Sequence, residues 1–389
     1  MSRRVPTSVS RTIRDTLVEV TRDPDAAGAT LARVSGEELD AVLRAGVGHR
    51  LGSALVTGLQ TARLPVPGWL ETHRFDVATQ RAHLMATLAT IAPLLEATGI
   101  PWVVLKGPVT ASAYERFEER EFADLDILVP GERLADVLAA LDDAGVDAVN
   151  RNWDAYVRYR VAEFPVGLAG TSIDLHWHII ALDRTRRRFT IRTDELLARR
   201  QPVDIGGVAC HQLDPEDNAI HLALHAGLAG AYRLGSLRDI HETVRSGDLD
   251  WDLVVDRARL GGAGPLVGHV LDRCRIVLGA PVPPEVAERL TPRWGLRCRR
   301  WLDAHPLPAT GSYEKPYSGF LVATWRTGII STLGRARELL SDRLATALGR
   351  PARWSAYDPE GPLFWQRPSG GEEAYAAYLD LAAGSPPPR

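Results

Sequence analysis

Apolar positions recur at helical spacing through the first hundred residues. Ser35-Gly36-Glu37-Glu38 opens a helix with a capping-box-like pattern. Arg50 to Leu59 keeps the spacing, and a long amphipathic run from Trp69 to Ala97 follows Pro67 and stops at Gly99. The period then changes. Pro101 to Leu105 reads as a short apolar strand, Val109 to Phe117 as a helix, and Asp124 to Val129 (DLDILV) as a second strand. Glu132 to Ala144 is an amphipathic helix ended by Gly145, and Tyr156 to Phe164 and Ser172 to Ile179 alternate as strands. After Cys210 the helical period returns, over Pro215 to Gly230, Leu237 to Val244, Trp251 to Leu260 and Pro265 to Leu278. Residues 290–350 continue as helix, and the stretch from 351, rich in Pro and Gly, reads as a partly irregular tail. The pattern predicts an α+β chain: helices over 1–99, a small mixed sheet over 100–210, a helical domain over 211–350 and a tail over 351–389.

Composition sets limits. With 389 residues the chain has room for two or three domains. Its formal net charge of −3 disfavours a polynucleotide partner, because phosphate contacts call for a basic surplus. Three scattered cysteines, Cys210, Cys274 and Cys298, fit a reducing compartment better than a disulfide framework or a cysteine zinc site. The N-terminus has no apolar stretch after its basic residues, and no window reaches about eighteen uninterrupted apolar residues. These features predict a cytoplasmic protein with no membrane partner. Of the 46 basic residues only Lys106 and Lys315 are lysine. A lysine retained against that bias draws notice to Lys106.

Alternation in DLDILV puts Asp124, Asp126 and Leu128 on one face. Carboxylates so spaced repel each other, and a divalent metal is the natural way to hold them together. On the second acidic strand, Ser172, Asp174, His176 and His178 share a face. If the two strands pair, Asp174 becomes a third carboxylate, and Mg2+ (or Mn2+) serves both to place a triphosphate and to activate an acceptor. Strand, Lys106-Gly107-Pro108 and helix follow in that order. Gly107 permits close backbone approach, the helix N-terminus offers N–H groups to phosphate, and Lys106 adds a point charge. Arg120, four residues before Asp124, is a further candidate for the same phosphates. His176 is either a general base or acceptor contact, or a packed histidine; His178 reads as a satisfied histidine. His221 and His225 lack a third metal ligand and read as packing residues. The run Arg184, Arg186, Arg187, Arg188 and Arg192 reads first as a solvated loop, and second as a grip on an anion.

The order LKGP, helix, R-x-x-x-D-L-D-I-L-V, then D-L-H-W resembles the uncharacterised bacterial nucleotidyltransferases of the DNA-polymerase-beta-like superfamily. The resemblance extends over roughly residues 40 to 285. It includes Gly46 to Leu51, Pro215 to His225, Leu237 to Ile240 and Asp250-Trp251. It implies a small mixed β-sheet palm, flanked by N-terminal and C-terminal helical regions, with acids at Asp124, Asp126 and Asp174. It also implies nucleotidyl transfer from a nucleoside triphosphate, ATP being the first candidate, to a small-molecule or peptide acceptor, with a biosynthetic pathway as the expected setting. The chain departs from the wider superfamily in one place. A Lys-Gly-Pro turn stands where Gly-Ser is usual, so the triphosphate cradle differs. Two other readings of D-x-D remain open: a glycosyltransferase using a sugar nucleotide, and a non-catalytic nucleotide-binding module.

Overall fold

The computed structural model of the chain describes residues 7–34, 36–149, 151–168, 170–297 and 369–384. These fall into two units. One takes the residues up to Ala82, Val109–Ala123 and the stretch from Pro215 to 297; the other takes His83–Pro108, Asp124–Asp214 and residues 369–384. The units therefore do not follow the consecutive regions that the periodicity outlines. Ser35 and the stretch 298–368, which holds most of the expected 290–350 helix, lie outside the described residues.

The first unit is helical. It contains α1 (Thr7–Arg22), α2 (Gly28–Leu31), α3 (Gly36–Gly48), α4 (Gly52–Thr61) and the first half of α5 (Gly68–Ala97). Leu17, Leu31, Leu43, Leu55 and Leu59 are buried between them. After the sheet the unit resumes with α11 (Pro215–Leu228), α12 (Leu234–Ser246), α13 (Trp251–Leu260), α14 (Gly264–Leu278) and α15 (Pro284–Leu290). Asp250 caps α13, its carboxylate accepting from the backbone N–H groups of Asp252 and Leu253.

The second unit is built on a five-stranded mixed sheet. Its strands are β1 (Val103–Val104), β2 (Leu125–Leu128), β3 (Asp147–Ala148), β4 (Glu163–Leu168) and β5 (Thr171–His176), in the order β1-β2-β5-β4-β3. Only the central β2–β5 pair is parallel. Leu125, Ile127, Phe164, Val166, Ile173 and Leu175 alternate onto one buried face, and that apolar set fixes the register. The acidic residues take the other face. A hairpin of β6 (Gln201–Ile205) and β7 (Val208–Gln212) stands apart as a second sheet. Among the described residues no helix is long and apolar enough to cross a membrane.

Three elements differ from the periodicity. Trp153–Tyr159 is a helix, α8, and the strand expected over 156–164 begins only at Glu163. The side chain of Asn152 accepts from Ala155 N–H and starts that helix. The helix expected over 109–117 is one turn, α6 (Gly107–Ala111), followed by a 3-10 turn at Phe117–Glu119. Within the supposed irregular tail, Glu372–Ala382 forms a helix, α16, that belongs to the sheet unit. Its Tyr378 is fully buried beside Trp153, Tyr156 and Phe164. The Tyr378 hydroxyl accepts from Trp177 Nε1 at 3.1 Å and donates to the Val161 carbonyl at 3.0 Å. Gly131 permits this docking, since a Cβ there would meet the Ala382 carbonyl oxygen at 2.2 Å.

Candidate active site

The parallel register of β2 and β5 sets Asp126 directly opposite Asp174, and Leu128 opposite His176. Side chains opposite one another in a sheet share a face, so Asp126, Asp174 and His176 converge there. β1 runs antiparallel to β2, and Leu105 N–H bonds the Asp126 carbonyl at 2.9 Å. The next residue, Lys106, reaches the same group: its Nζ lies 3.2 Å from Asp126 Oδ1. Gly107 then turns the chain with φ +54, a left-handed conformation that a side chain strains. Asp124 sits half-buried one residue before β2.

Asp126 Oδ1 also meets His176 Nε2, at 3.0 Å. His176 Nδ1 is 3.3 Å from Glu163 Oε2. Four carboxylates thus stand about one ammonium and one imidazole, with Asp126 only 3% exposed. The electrostatics record the excess of acid. Burial, then the charges of Asp126, Glu163 and Asp124, push the Asp174 carboxyl up to about 7 despite nearby His176. Burial works against the charge on Lys106, yet Asp126, Asp124 and Glu163 outweigh it and hold the ammonium above its ordinary range. His176 is likewise raised: burial opposes its charge, and Asp126 and Glu163 prevail.

The structure brings Lys106, Asp126, Asp174 and His176 together, with Asp124 and Gly107 on adjoining residues. Arg120 is not in this group. It is buried in the helical unit, where its Nε and Nη2 donate to the two carboxylate oxygens of Asp239 at 3.0 and 3.1 Å. The one-turn length of α6 also leaves little helix behind the Lys-Gly turn. His178 lies past the end of β5. Its Nε2 donates to the Ile191 carbonyl at 3.1 Å and its Nδ1 accepts from Ile180 N–H at 3.0 Å, so it is a satisfied histidine. His221 and His225 stack on α11 with ring centroids 6.5 Å apart.

In the arginine run, Arg186 is a clamp. It donates to the carbonyls of Ala181 and Arg160 at 3.0 and 2.9 Å and lies over the Trp177 ring. Arg187 pairs with Asp183, and Arg192 with Asp194. Arg187 and Arg192 are exposed, as a solvated run would have them, whereas Arg186 is held by the backbone carbonyls. Periodicity missed Glu163, because the strand carrying it was started seven residues early. It also missed α16, whose EEAYAAYLDLA pattern carries acids in the first turn and a buried Tyr378.

Among the described residues no three His, Cys, Asp or Glu side chains form a ready metal cage. Lys106 and His176 already press on Asp126, and Asp124 lies outside the strand. The donor chemistry nonetheless suits a hard divalent cation. Carboxylates stand side by side in register, and burial, then their mutual repulsion, raises Asp174.

The model of a family described as uncharacterised nucleotidyltransferase matches residues 35–279, and the chain belongs to that family. Membership supports nucleotidyl transfer as the general class of activity. One solved structure that the chain resembles is an antigenic nucleotidyltransferase-like protein from Paracoccidioides brasiliensis, 12% identical, with a TM-score of 0.33 over 53% of this chain and 90% of that one. No curated protein matches.

Proposed function

We propose that this chain transfers a nucleoside monophosphate from a nucleoside triphosphate, ATP first, to a small-molecule or peptide acceptor. An acceptor oxygen or nitrogen bonds to the α-phosphorus, the bond to the bridging oxygen breaks, pyrophosphate leaves, and the acceptor proton passes to water. The observation that carries this reading is the Asp126–Asp174 register beneath Lys106, in a chain of this family.

Asp124, Asp126 and Asp174 are the carboxylates suited to hold Mg2+ or Mn2+, which when bound supplies charge neutralisation for the triphosphate. Lys106 sits at the turn where phosphate would approach and adds a point charge. Gly107 leaves the backbone bare beside it. Both ring nitrogens of His176 face carboxylates, at 3.0 Å and 3.3 Å, so the ring serves better to hold Asp126 than to accept an acceptor proton. Calorimetric titration of the four triphosphates, with and without Mg2+, tests the proposal. Cation-dependent binding of one or more supports it. Binding of none, or binding indifferent to the cation and to Asp126→Asn, contradicts it.

A further inference from the structure

Glu163 opens β4, and its partner across the antiparallel β4–β5 pair is His176. Its Oε2 is 3.3 Å from Nδ1 of that imidazole. This is an electrostatic contact and not an aligned hydrogen bond. The opposite ring nitrogen, Nε2, donates to Asp126 Oδ1 at 3.0 Å. One buried imidazole, 5% exposed, thus lies between two carboxylates carried on strands that do not touch each other.

The sheet order explains why the histidine is needed between them. Glu163 is two strands away from Asp126, in the order β2-β5-β4. At about 4.8 Å per strand they are about 10 Å apart across the sheet, and they are offset along it as well, since Glu163 is in register with His176 and Asp126 with Asp174. A ring held at Nε2 alone is free to pivot about that contact. A carboxylate at Nδ1 removes the pivot, as outer carboxylates do for histidines in metal sites.

We propose that Glu163 is a positioning residue: from β4 it holds the His176 ring against Asp126 and so fixes the orientation of the central carboxylate. The proposal rests on the reading of the acidic face as a cation and nucleotide site, but its first test does not. In the cation-free full-length protein, Glu163→Ala and His176→Gln lower the melting temperature, and the double variant falls no further than His176→Gln alone. Additive melting shifts overturn the positioning role whatever the site binds.

The second test uses Mn2+ alone as the probe, read by electron paramagnetic resonance at constant pH. Glu163→Ala weakens Mn2+ binding about tenfold, the scale of lost outer contacts. Glu163→Gln keeps an acceptor oxygen without the charge and recovers most of that loss. In the His176→Gln background neither Glu163 change has an effect. An equal loss in both backgrounds, or an equal loss for Gln and Ala, makes Glu163 a direct ligand or a plain charge and overturns the proposal. Failure of the wild type to bind Mn2+ counts against the cation reading, and the cation-free melts then decide the role of Glu163. If Glu163→Ala does not fold, Glu163→Thr, suited to a strand but too short to reach Nδ1, carries the same cycle.

Discussion

Each unit buries a group of charges, and the two groups are balanced differently. In the helical unit Arg120 grips Asp239 through two nitrogens, and Tyr114 donates to the same carboxylate at 2.7 Å. Arg238 pairs with Glu119 and Glu242, and Arg245 with Glu242. Asp239, Glu119 and Glu242 each face an arginine, whose planar fork suits a permanent carboxylate partner. In the sheet unit Asp124, Asp126, Asp174 and Glu163 share one lysine and one histidine. The two groups therefore differ in their balance of charge. The first is complete as it stands. The second has acid to spare, and that excess is what supports the proposed cation site.

The largest expected difference comes from removing the cation at each centre. Arg238→Met leaves Glu119 with Arg116 alone and Glu242 with Arg245 alone, and should cost about 3 kcal/mol of stability. Mg2+ should restore none of it, as read by chemical denaturation with and without the ion. Lys106→Met should cost less, about 1–3 kcal/mol, because His176 still contacts Asp126. Millimolar Mg2+ should return part of that loss, and triphosphate affinity should fall about tenfold, the scale of a lost charge-assisted contact. Recovery by Mg2+ in both variants, or in neither, would erase the distinction between the two groups.

Acid separates the units next. His178 in the sheet unit is driven down to about 4 by burial, then by Arg186. Its Nδ1 accepts from Ile180 N–H and has no room for a proton. Below the ordinary histidine range the unfolded chain takes up a proton that the folded chain refuses. Its contribution is full above pH 6.5 and is lost as pH falls from 6.5 to about 4, with a ceiling of about 3 kcal/mol. His73 in the helical unit is raised, chiefly by its hydrogen bond to Glu121. Its contribution is present below 6.5 and fades as pH rises through its folded value. Denaturation profiles of His73→Gln and His178→Gln, each subtracted from wild type, should therefore slope in opposite directions. Slopes of the same sign would refute one assignment.

Much of the sheet unit was legible because its signals are local. DLDILV and SIDLH alternate by two, which puts Asp124 and Asp126 on one face of the first and Asp174 and His176 on one face of the second; that the strands pair is supplied by the structure. The balanced group was not legible. Arg120 meets Asp239 across 119 positions, and no nearby residue announces the pair. Glu163 was hidden because Trp153 to Phe164 mixes both periods, and the deciding cue was Asn152 as an N-cap. The helix Glu372–Ala382 was hidden by the composition of its surroundings, though its own eleven residues carry the pattern.

The smallest change in the cation-free protein gives the most direct test. Asp174→Asn removes one charge from the crowded face at the residue whose carboxyl is already pushed up to about 7. Melting temperatures are to be compared for wild type and variant, alone and with Mg2+ plus each triphosphate. The account predicts a variant at least as stable as wild type when alone, because repulsion is relieved. The ligand-induced rise expected of wild type, about 2.7 kcal/mol at a hundredfold excess over Kd, should be absent from the variant. A variant less stable alone, with the wild-type rise intact, would make Asp174 a structural carboxylate and contradict the account.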